Sequence, residues 1–511
     1  MLYKISKCKP LFLYVFNINA MLLTWIRHRA PYLLLLLLSL LFVTFYSVTT
    51  SFLYPISDYY MDSYVFQAFG KLCSQGAVPY LDLFDHKGPI IFYINTLGYL
   101  LCGTKMGVFL LQVISLSLAL FIGYRQLRSY FEAPLSFFLI LIWLISLTYT
   151  YEGGNLVEEY ALPLLTLSFT CVYKWSKNVA KKSDYFHSPR YALYYGITIA
   201  FCLFTRLTNA VGIFISIAFI TICLLANKQY KNLLANAVYL LGGICLLTVP
   251  IILYEWYKGA LCEMWYATFI FNVNYALNSH EVYNNSVLSV DFFLTYLNCF
   301  LLVFIGIYKI VFNIEKTSAL LFIVLGGGSL IWFLSNGSFP HYATVVWPYL
   351  LIVLIDFSII AKSSIRTKRL MFQLLLFLYV VVLSYFAIPR AKYVGFGKQI
   401  TNNNQLSICC QLIDNIPVQE RKEFVAYNCK PHLYLVENLT PCYKFFIFQD
   451  HQAEFSDDFK GEMHKTFAFG NARWILLNMV RGKTNIDDII NTRYSLVAKK
   501  NNFRLYKLSN S

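Results

Sequence analysis

Charge is scarce in this chain of 511 residues: only 13% are Asp, Glu, Lys or Arg, where a soluble domain averages about 25%. That scarcity, beside a hydrophobic share of 58% with 44 Phe and 40 Tyr, excludes an ordinary globular protein over most of the length. A small-residue cleavage site is missing ahead of Pro31, so the basic-ended residues 1–30 do not read as a removable signal peptide, and Met21 stands as an alternative start. The thirteen cysteines lack any metal-ligand spacing. Many fall in apolar stretches, where Cys acts as a small apolar residue. Internal repeats and low-complexity linkers are missing too. Acidic residues are few, 26 against 42 basic ones, for a net charge of +16. An excess of that sign suits nucleic acid only if it gathers on a soluble face, and here it does not.

What is present is a series of apolar runs, each near the roughly 17–25 residues that cross a bilayer. They lie at 32–52, 106–124, 134–151, 159–175, 190–205, 208–227, 233–254, 291–309, 317–334, 342–361 and 370–388. With the N-terminus in the cytoplasm, the segments between spans put twenty Lys and Arg inside and five outside before the tail, namely Lys71, Lys87, Lys105, Arg206 and Lys258. This is the asymmetry of the positive-inside rule, so the charge is spent on topology and no nucleic-acid partner is expected. Pro89 to Cys102 is short for a crossing, and counting it would invert every later assignment; it reads as an interfacial or re-entrant helix. The expected fold class is mainly α, a polytopic transmembrane helical bundle of about eleven spans, with a large first outer loop and a small C-terminal α/β domain outside. Its parts are a cytoplasmic N-terminus at 1–31, a transmembrane domain at 32–388 with outer loop 53–105, and a periplasmic domain at 389–511. In that tail, Phe424–Tyr427, Lys444–Phe448, Trp474–Leu477, Ser495–Lys499 and Phe503–Lys507 read as strands, and Ala453–Phe467 as helical. Cys409, Cys410, Cys429 and Cys442 are available there for disulfides of undecided pairing.

The informative stretch is Asp62 to Pro89, DSYVFQAFGKLCSQGAVPYLDLFDHKGP, which sets Asp62, Asp82, Asp85, His86 and Lys87 against the membrane. Ionisable groups beside hydrocarbon are expensive, so the cluster is a functional-site hypothesis by default. Tyr64/Val65, Ala68/Phe69 and Leu72/Cys73 recur at helical spacing opposite Ser63, Gln67 and Lys71, which predicts an amphipathic helix at the interface that ends at Gly76. The other outer segments add Glu152, Glu158 and Glu159 in YEGGNLVEEYALP, Arg206 in TRLTN and His341 in SNGSFPHY. Together these loops would form an outward pocket of carboxylates and cations, suited to a phosphorylated lipid whose tail stays between spans.

An Asp shortly after the first span, the GAVPY stretch at Gly76–Tyr80 and a closing H-K-x-P at His86–Pro89 resemble the type-C glycosyltransferases, and within them the protein O-mannosyltransferase and aminoarabinose-transferase branch. The likeness is strong over the first loop, moderate over EEYALP and TRLTN, and one of layout only in the tail. It departs at Gly88, where the common pattern has a second proline. The resemblance implies a sugar taken from a polyprenyl-phosphate donor on the outer face, with a lipid, polysaccharide or protein as acceptor.

The chemistry agrees. Displacing phosphate from an anomeric carbon asks for cations to hold the leaving anion and for a base to take the acceptor's proton. Asp62 is the expected base, with inversion, and Lys87, Arg206 and His86 the expected phosphate ligands. Asp85, Glu158, Glu159 and His341 are expected to position substrate or a divalent metal, which the carboxylates permit without demanding it. Each residue also has a plainer reading. Asp62 suits a helix cap, Asp85 a turn, Glu158 and Glu159 a helix dipole, Lys87 and Arg206 headgroup contact, and His341 a structural role. Gly326–Gly328 reads as a close helix contact. The expected setting is a bacterial inner membrane and its cell envelope, with membrane lipids as partners. A multi-span transporter or flippase, and a ligase or polymerase of lipid-linked oligosaccharide, are the rival classes.

Overall fold

The computed structural model describes residues 29–56, 61–278, 290–335, 339–362, 369–370, 372–382, 385, 404–470, 472–479 and 482–509. The basic segment before Arg29, with Met21, lies outside them, as does the start of the expected tail domain.

Every one of the eleven apolar stretches is occupied by a helix. These are α1 (Arg29–Tyr46), α4 (Lys105–Arg128), α5 (Ala133–Leu147), α6 (Val157–Lys182), α7 (Pro189–Leu203), α8 (Val211–Ala226), α9 (Tyr230–Tyr257), α13 (Leu297–Val311), α14 (Lys316–Ser335), α15 (Trp347–Ala361) and α16 (Phe372–Val382). Six are long and apolar enough to cross a membrane when α8 and α15 are counted with the 3₁₀ turns before them, and α5, α13 and α16 are shorter apolar helices. The protein is a multi-pass membrane protein of mainly α class. The remaining helices of this part are α2 (Met61–Ser74), α3 (Pro89–Cys102), α10 (Leu261–Trp265), α11 (Asn272–Asn278) and α12 (Val290–Thr295), with a π turn at Tyr266–Phe271.

Local chemistry sets the helix ends. Proline opens α3, α5 and α7 within their first two positions, where its missing N–H has no intrahelical partner to lose. Thr104 caps α4 by accepting from the Met106 N–H at 3.3 Å. α6 carries Glu158 and Glu159 in its first turn and Lys181 and Lys182 in its last, complementing the helix dipole at both ends. Between helices, small residues let backbones touch: a Cβ on Gly196 or Gly243 would fall onto the facing helix backbone of the α7–α9 pair. Gly326 meets the Cys299 carbonyl of α13 in the same way, while Gly327 faces open space. α5 and α15 join through Trp143 and Trp347, stacked at 3.7 Å, each indole N–H donating to the other's backbone carbonyl at 3.0 and 2.7 Å.

At one end of the bundle a buried ionic cluster ties α6, α13 and α15. Asp356 accepts from Lys177 at 2.7 Å and Lys309 at 3.1 Å, and Glu315 accepts from both lysines at 2.6 Å. The C-terminal part packs at the other end. Its helices are α17 (Asn404–Ile413), α18 (His432–Val436), α19 (Gln449–Ala453), α20 (Asp457–Ala468) and α21 (Asp487–Arg493). Its strands are β1 (Phe424–Tyr427), β2 (Trp474–Asn478), β3 (Tyr494–Lys500) and β4 (Phe503–Leu508) in the order β1-β2-β4-β3, with only β1 and β2 parallel.

Three expectations are corrected. Lys444–Phe448 is not a strand: its Phe445, Phe446 and Ile447 are fully buried in an apolar core shared with α2 and α3, and the Lys444 carbonyl accepts from Phe84 N–H at 2.9 Å. The helical stretch 453–467 is broken at Ser456, whose hydroxyl caps α20 through the Phe459 N–H at 3.2 Å. Cys409, Cys410, Cys429 and Cys442 are free thiols, and Cys429 donates to backbone carbonyls of Tyr427 and Leu476.

Candidate functional site

α2 forms where the apolar spacing predicts it, but its polar face does not meet water. Ser63 and Gln67 are completely buried. Ser63 Oγ donates to Thr49 Oγ1 at 2.7 Å, and Gln67 Nε2 donates to the Ser63 hydroxyl at 3.1 Å and the Thr49 carbonyl at 3.3 Å. Buried polar groups need partners, and these come from the segment after α1. Asp62, in the first turn of α2, is left exposed. A carboxylate there is favoured by the helix dipole, so its location serves either expected role.

Residues 76–89 form a loop clamped from all sides. Tyr80 sits at φ 70°, fully buried, and its hydroxyl donates to the Lys87 carbonyl at 2.8 Å. Asp85 accepts from the Lys87 N–H at 2.8 Å. Asn272 of α11 donates to the His86 carbonyl at 2.7 Å, and the His86 ring stacks on Phe271 and Tyr275, both at 5.8 Å. Gly88 N–H donates to the Thr205 carbonyl at 3.3 Å, and a Cβ there would fall onto the Phe204 carbonyl. Glycine at 88, the departure from the common pattern, is therefore what lets this loop lie against the residues just before Arg206.

Electrostatics inside the clamp are sharply tuned. Burial pushes the Asp85 carboxyl up to about 6, with Lys87 and two backbone donors opposing and Asp62 adding to the rise. Burial, then the Lys87, His451 and Arg206 charges, hold His86 well below its usual value, so it is a neutral ring. The Lys87 ammonium accordingly donates to His86 Nε2 at 3.0 Å. Burial alone would lower Lys87, but the Asp62 and Asp85 carboxylates outweigh it and raise the lysine, which stays charged. Asp62, Asp85, His86, Lys87 and Arg206 thus share one field.

The second wall comes from 150–160, 205–210 and 339–347. Arg206 bonds Glu158 Oε1 through Nη1 at 3.2 Å, and its guanidinium lies 3.3 Å from the centre of the Tyr342 ring. His341 pairs with Glu152 at 2.8 Å and meets Tyr342 edge-on at 4.5 Å. Glu159 turns the other way: it accepts from Gln112 at 2.9 Å, from the Asn155 N–H at 3.2 Å and from the Leu156 N–H at 3.3 Å, closing the start of its own helix. Among the described residues no group of three His, Cys, Asp or Glu is placed to hold a metal ion.

Sequence reasoning gave no role to Tyr80, Tyr342, Asn272 or Asn155. Tyr80 closes the GAVPY stretch and Asn155 the Gly-Gly-Asn turn; Tyr342 and Asn272 are an aromatic and an amide among many. Further down α15, an apolar cavity of about 250 Å³ opens between α13, α15 and α16, with Phe300, Phe304, Leu350, Val353 and Leu376 in its walls. Leu350 is eight residues past Tyr342, roughly 12–16 Å at helical rise.

No protein-family model matches the chain, and no curated protein matches its sequence. Solved structures do match. ArnT from Cupriavidus metallidurans, in a crystal structure bound to undecaprenyl phosphate, is 13% identical with a TM-score of 0.56, covering 94% of this chain and 98% of that one. The Archaeoglobus fulgidus oligosaccharyltransferase, in its apo form, is 12% identical with a TM-score of 0.53, covering 88% of this chain and 69% of that one. At such identities the likeness shows the fold alone: this chain shares the fold of these two proteins, helical bundle and C-terminal part together.

Proposed function

We propose that the protein is a membrane glycosyltransferase that moves a sugar from a polyprenyl-phosphate carrier to an acceptor. The observation that carries the reading is the exposed Asp62 carboxylate sharing a field with two cations, Lys87 and Arg206, at one end of a bundle with this fold. Lys87 and Arg206 hold the phosphate, and His86, neutral and bonded to the Lys87 ammonium, orients that lysine. Asp62 takes the acceptor's proton as its oxygen attacks the anomeric carbon, and the lipid phosphate leaves as a stabilised anion with inversion. General-base help contributes typically about 10²–10⁴ in rate, and preorganised charge at the leaving anion often more. Asp85, Glu158, Glu159 and His341 act behind these groups; Glu158 fixes Arg206, and His341 braces Tyr342. ArnT's lipid ligand supports the donor class, and the apolar cavity along α15 has the character an isoprenoid chain requires. In this reading the site faces the outer side of a bacterial inner membrane with the tail periplasmic, an orientation that the basic asymmetry of the loops supports, and the acceptor is a lipid, polysaccharide or protein.

The test is sugar release from a panel of polyprenyl-phosphate sugars by purified protein, with crude membrane extract as acceptor and Asp62→Asn alongside. Turnover by wild type and its loss in a folded Asp62→Asn protein is the expected result. If no polyprenyl-phosphate sugar is consumed the transferase reading fails and transport of lipid-linked sugar becomes the alternative. Turnover that survives Asp62→Asn removes the base from Asp62.

A further inference from the structure

Asn155 is the residue around which the two walls of the site meet. It follows Gly153 and Gly154 in three successive left-handed positions, at φ 74°, 87° and 64°, a conformation asparagine tolerates better than other side-chain-bearing residues. The turn is seated on Thr49, whose hydroxyl reaches the carbonyls of Gly153 and Gly154 at 3.0 and 3.2 Å. The Asn155 side chain is completely buried and points at two other elements. Its Nδ2 donates to the Ser63 hydroxyl at 3.1 Å and to the Ser63 carbonyl at 3.4 Å, one residue beyond Asp62. With Asn95 of α3 it forms a reciprocal amide pair, at 3.0 and 3.2 Å. Its Oδ1 also accepts from Tyr160 at 2.8 Å, and its own N–H reaches Glu159.

Each partner leads to a group in the site. Ser63 sits beside Asp62. Asn95 lies on the helix that starts two residues after Lys87. Three residues beyond Asn155, Glu158 holds Arg206. One side chain therefore bridges α2, which carries Asp62, α3, which begins two residues after Lys87, and the start of α6, whose Glu158 holds Arg206. Its hydrogen-bonding capacity is filled in doing so. A surface role would not bury an amide in this way.

We infer that Asn155 is a positioning residue that sets the distance between the Asp62 carboxylate and the Lys87–Arg206 pair, and that it acts on the chemical step through Asp62. The inference rests on the transferase reading above. Asn155 itself is completely buried, out of reach of a donor or acceptor in the open site. A base held out of register costs rate while leaving the cations able to bind lipid phosphate, and misplacement near 1 Å can cost about 10²-fold.

The experiment is a double-mutant cycle of Asn155→Gly with Asp62→Asn, read as kcat and donor KM. Glycine retains the left-handed backbone and removes only the amide, so backbone strain is not introduced. In Asn155→Gly we expect kcat to fall about 10–100-fold with donor KM within about threefold. In the double variant we expect a kcat no lower than that of Asp62→Asn alone, because the residue acts through the base. A kcat like wild type's, or losses that multiply in the double variant, overturns the inference. If Asn155→Gly does not fold, Ser63→Ala decides: it removes the shorter, hydroxyl contact next to Asp62 and leaves Asn155 bonded to Asn95 and within 3.4 Å of the residue 63 carbonyl, and an unchanged kcat there overturns the inference as well. Wild-type protein that consumes no polyprenyl-phosphate sugar instead overturns the underlying reading, and is seen before any variant is made.

Discussion

Arg206→Lys separates the geometry of the proposed anion clamp from its charge. In the structure the guanidinium lies flat on Tyr342 at 3.3 Å and is tethered to Glu158 at 3.2 Å, with Glu158 nearly fully buried and Arg206 27% exposed. A lysine keeps the positive charge and a partner for Glu158, but it has no plane to stack and no fork to offer two phosphate oxygens. The lost stacking is worth about 0.5–2 kcal/mol at a partly desolvated site. Replacing a bidentate charge-assisted contact by a single one adds roughly 1 kcal/mol. Together they make about 1.5–3 kcal/mol, or roughly 10–150-fold in affinity at 1.36 kcal/mol per decade. The assay is inhibition of turnover by an unreactive polyprenyl phosphate, in which Ki should rise by that factor while kcat changes less. Tyr342→Ala should shift Ki in the same direction by a smaller factor, and in the double variant the two losses should be less than multiplicative, since an ammonium has no plane to stack on the ring. A Ki within twofold of wild type for Arg206→Lys would refute the claim that the stacked guanidinium grips the phosphate.

Three further outcomes follow from the geometry. Asp85 has its carboxyl raised to about 6 by burial against an ordinary 3.8, so the folded protein binds the extra proton between those values. The stability it contributes is complete below about pH 4 and is lost as pH rises through about 6, roughly 3 kcal/mol in all. Asp85→Asn should therefore gain melting temperature over wild type progressively across that window, and a difference that does not vary with pH would count against it. Asp356→Asn leaves the buried Lys309 short of one carboxylate and should cost about 3–5 kcal/mol. Thermal unfolding in detergent checks this, with the paired Lys309→Met, Asp356→Leu protein expected to be more stable than either single variant. Gly88→Pro, which restores the proline of the common pattern, should abolish turnover: it deletes the N–H bonded to Thr205 and drives ring atoms into the Phe204 carbonyl. Wild-type turnover by that variant would show that the loop has room to move.

The spans were legible because membrane crossing is a one-dimensional demand: about twenty apolar residues, with proline or carboxylates at the start and basic residues at the end, say where a helix lies. The helix at Met61–Ser74 was legible for a similar reason, but its facing was not. Periodicity divides a helix into apolar and polar faces and assigns water to the polar one. Here Ser63 finds Asn155, 92 residues away in sequence, and the polar face becomes the inner one. Lys444–Phe448 fails by the same logic. Its apolar residues suit a strand, yet Phe445 and Phe446 pack against Phe84 and Phe69 from the first loop, a contact that no local pattern encodes. The candidate residues themselves were chosen by charge, which sequence displays directly. Which carboxylate belongs to which cation was not displayed: neighbouring Glu158 and Glu159 look equivalent in EEYALP, and one helical step turns the first toward Arg206 and the second toward Gln112.

The two ionic clusters of this protein make the argument for function by contrast. In the Lys177, Lys309, Glu315 and Asp356 group, two cations meet two carboxylates, every close contact is within 3.1 Å, and Lys309 and Asp356 are almost completely buried. Charge in that group is matched two against two around the buried Lys309–Asp356 pair, and it works as a fastening between helices. At the other end the same kinds of residue are arranged differently. Lys87 bonds a neutral histidine, Arg206 bonds Glu158 through Nη1 and stays 27% exposed, and Asp62 stands exposed. A protein that wanted only a second fastening would pair Lys87 with Asp62 and close both off, since leaving charge incompletely matched near the bilayer is unfavourable. The unclosed arrangement suits a mobile anion supplied from outside, which is the part the proposed function gives to the phosphate of a lipid carrier.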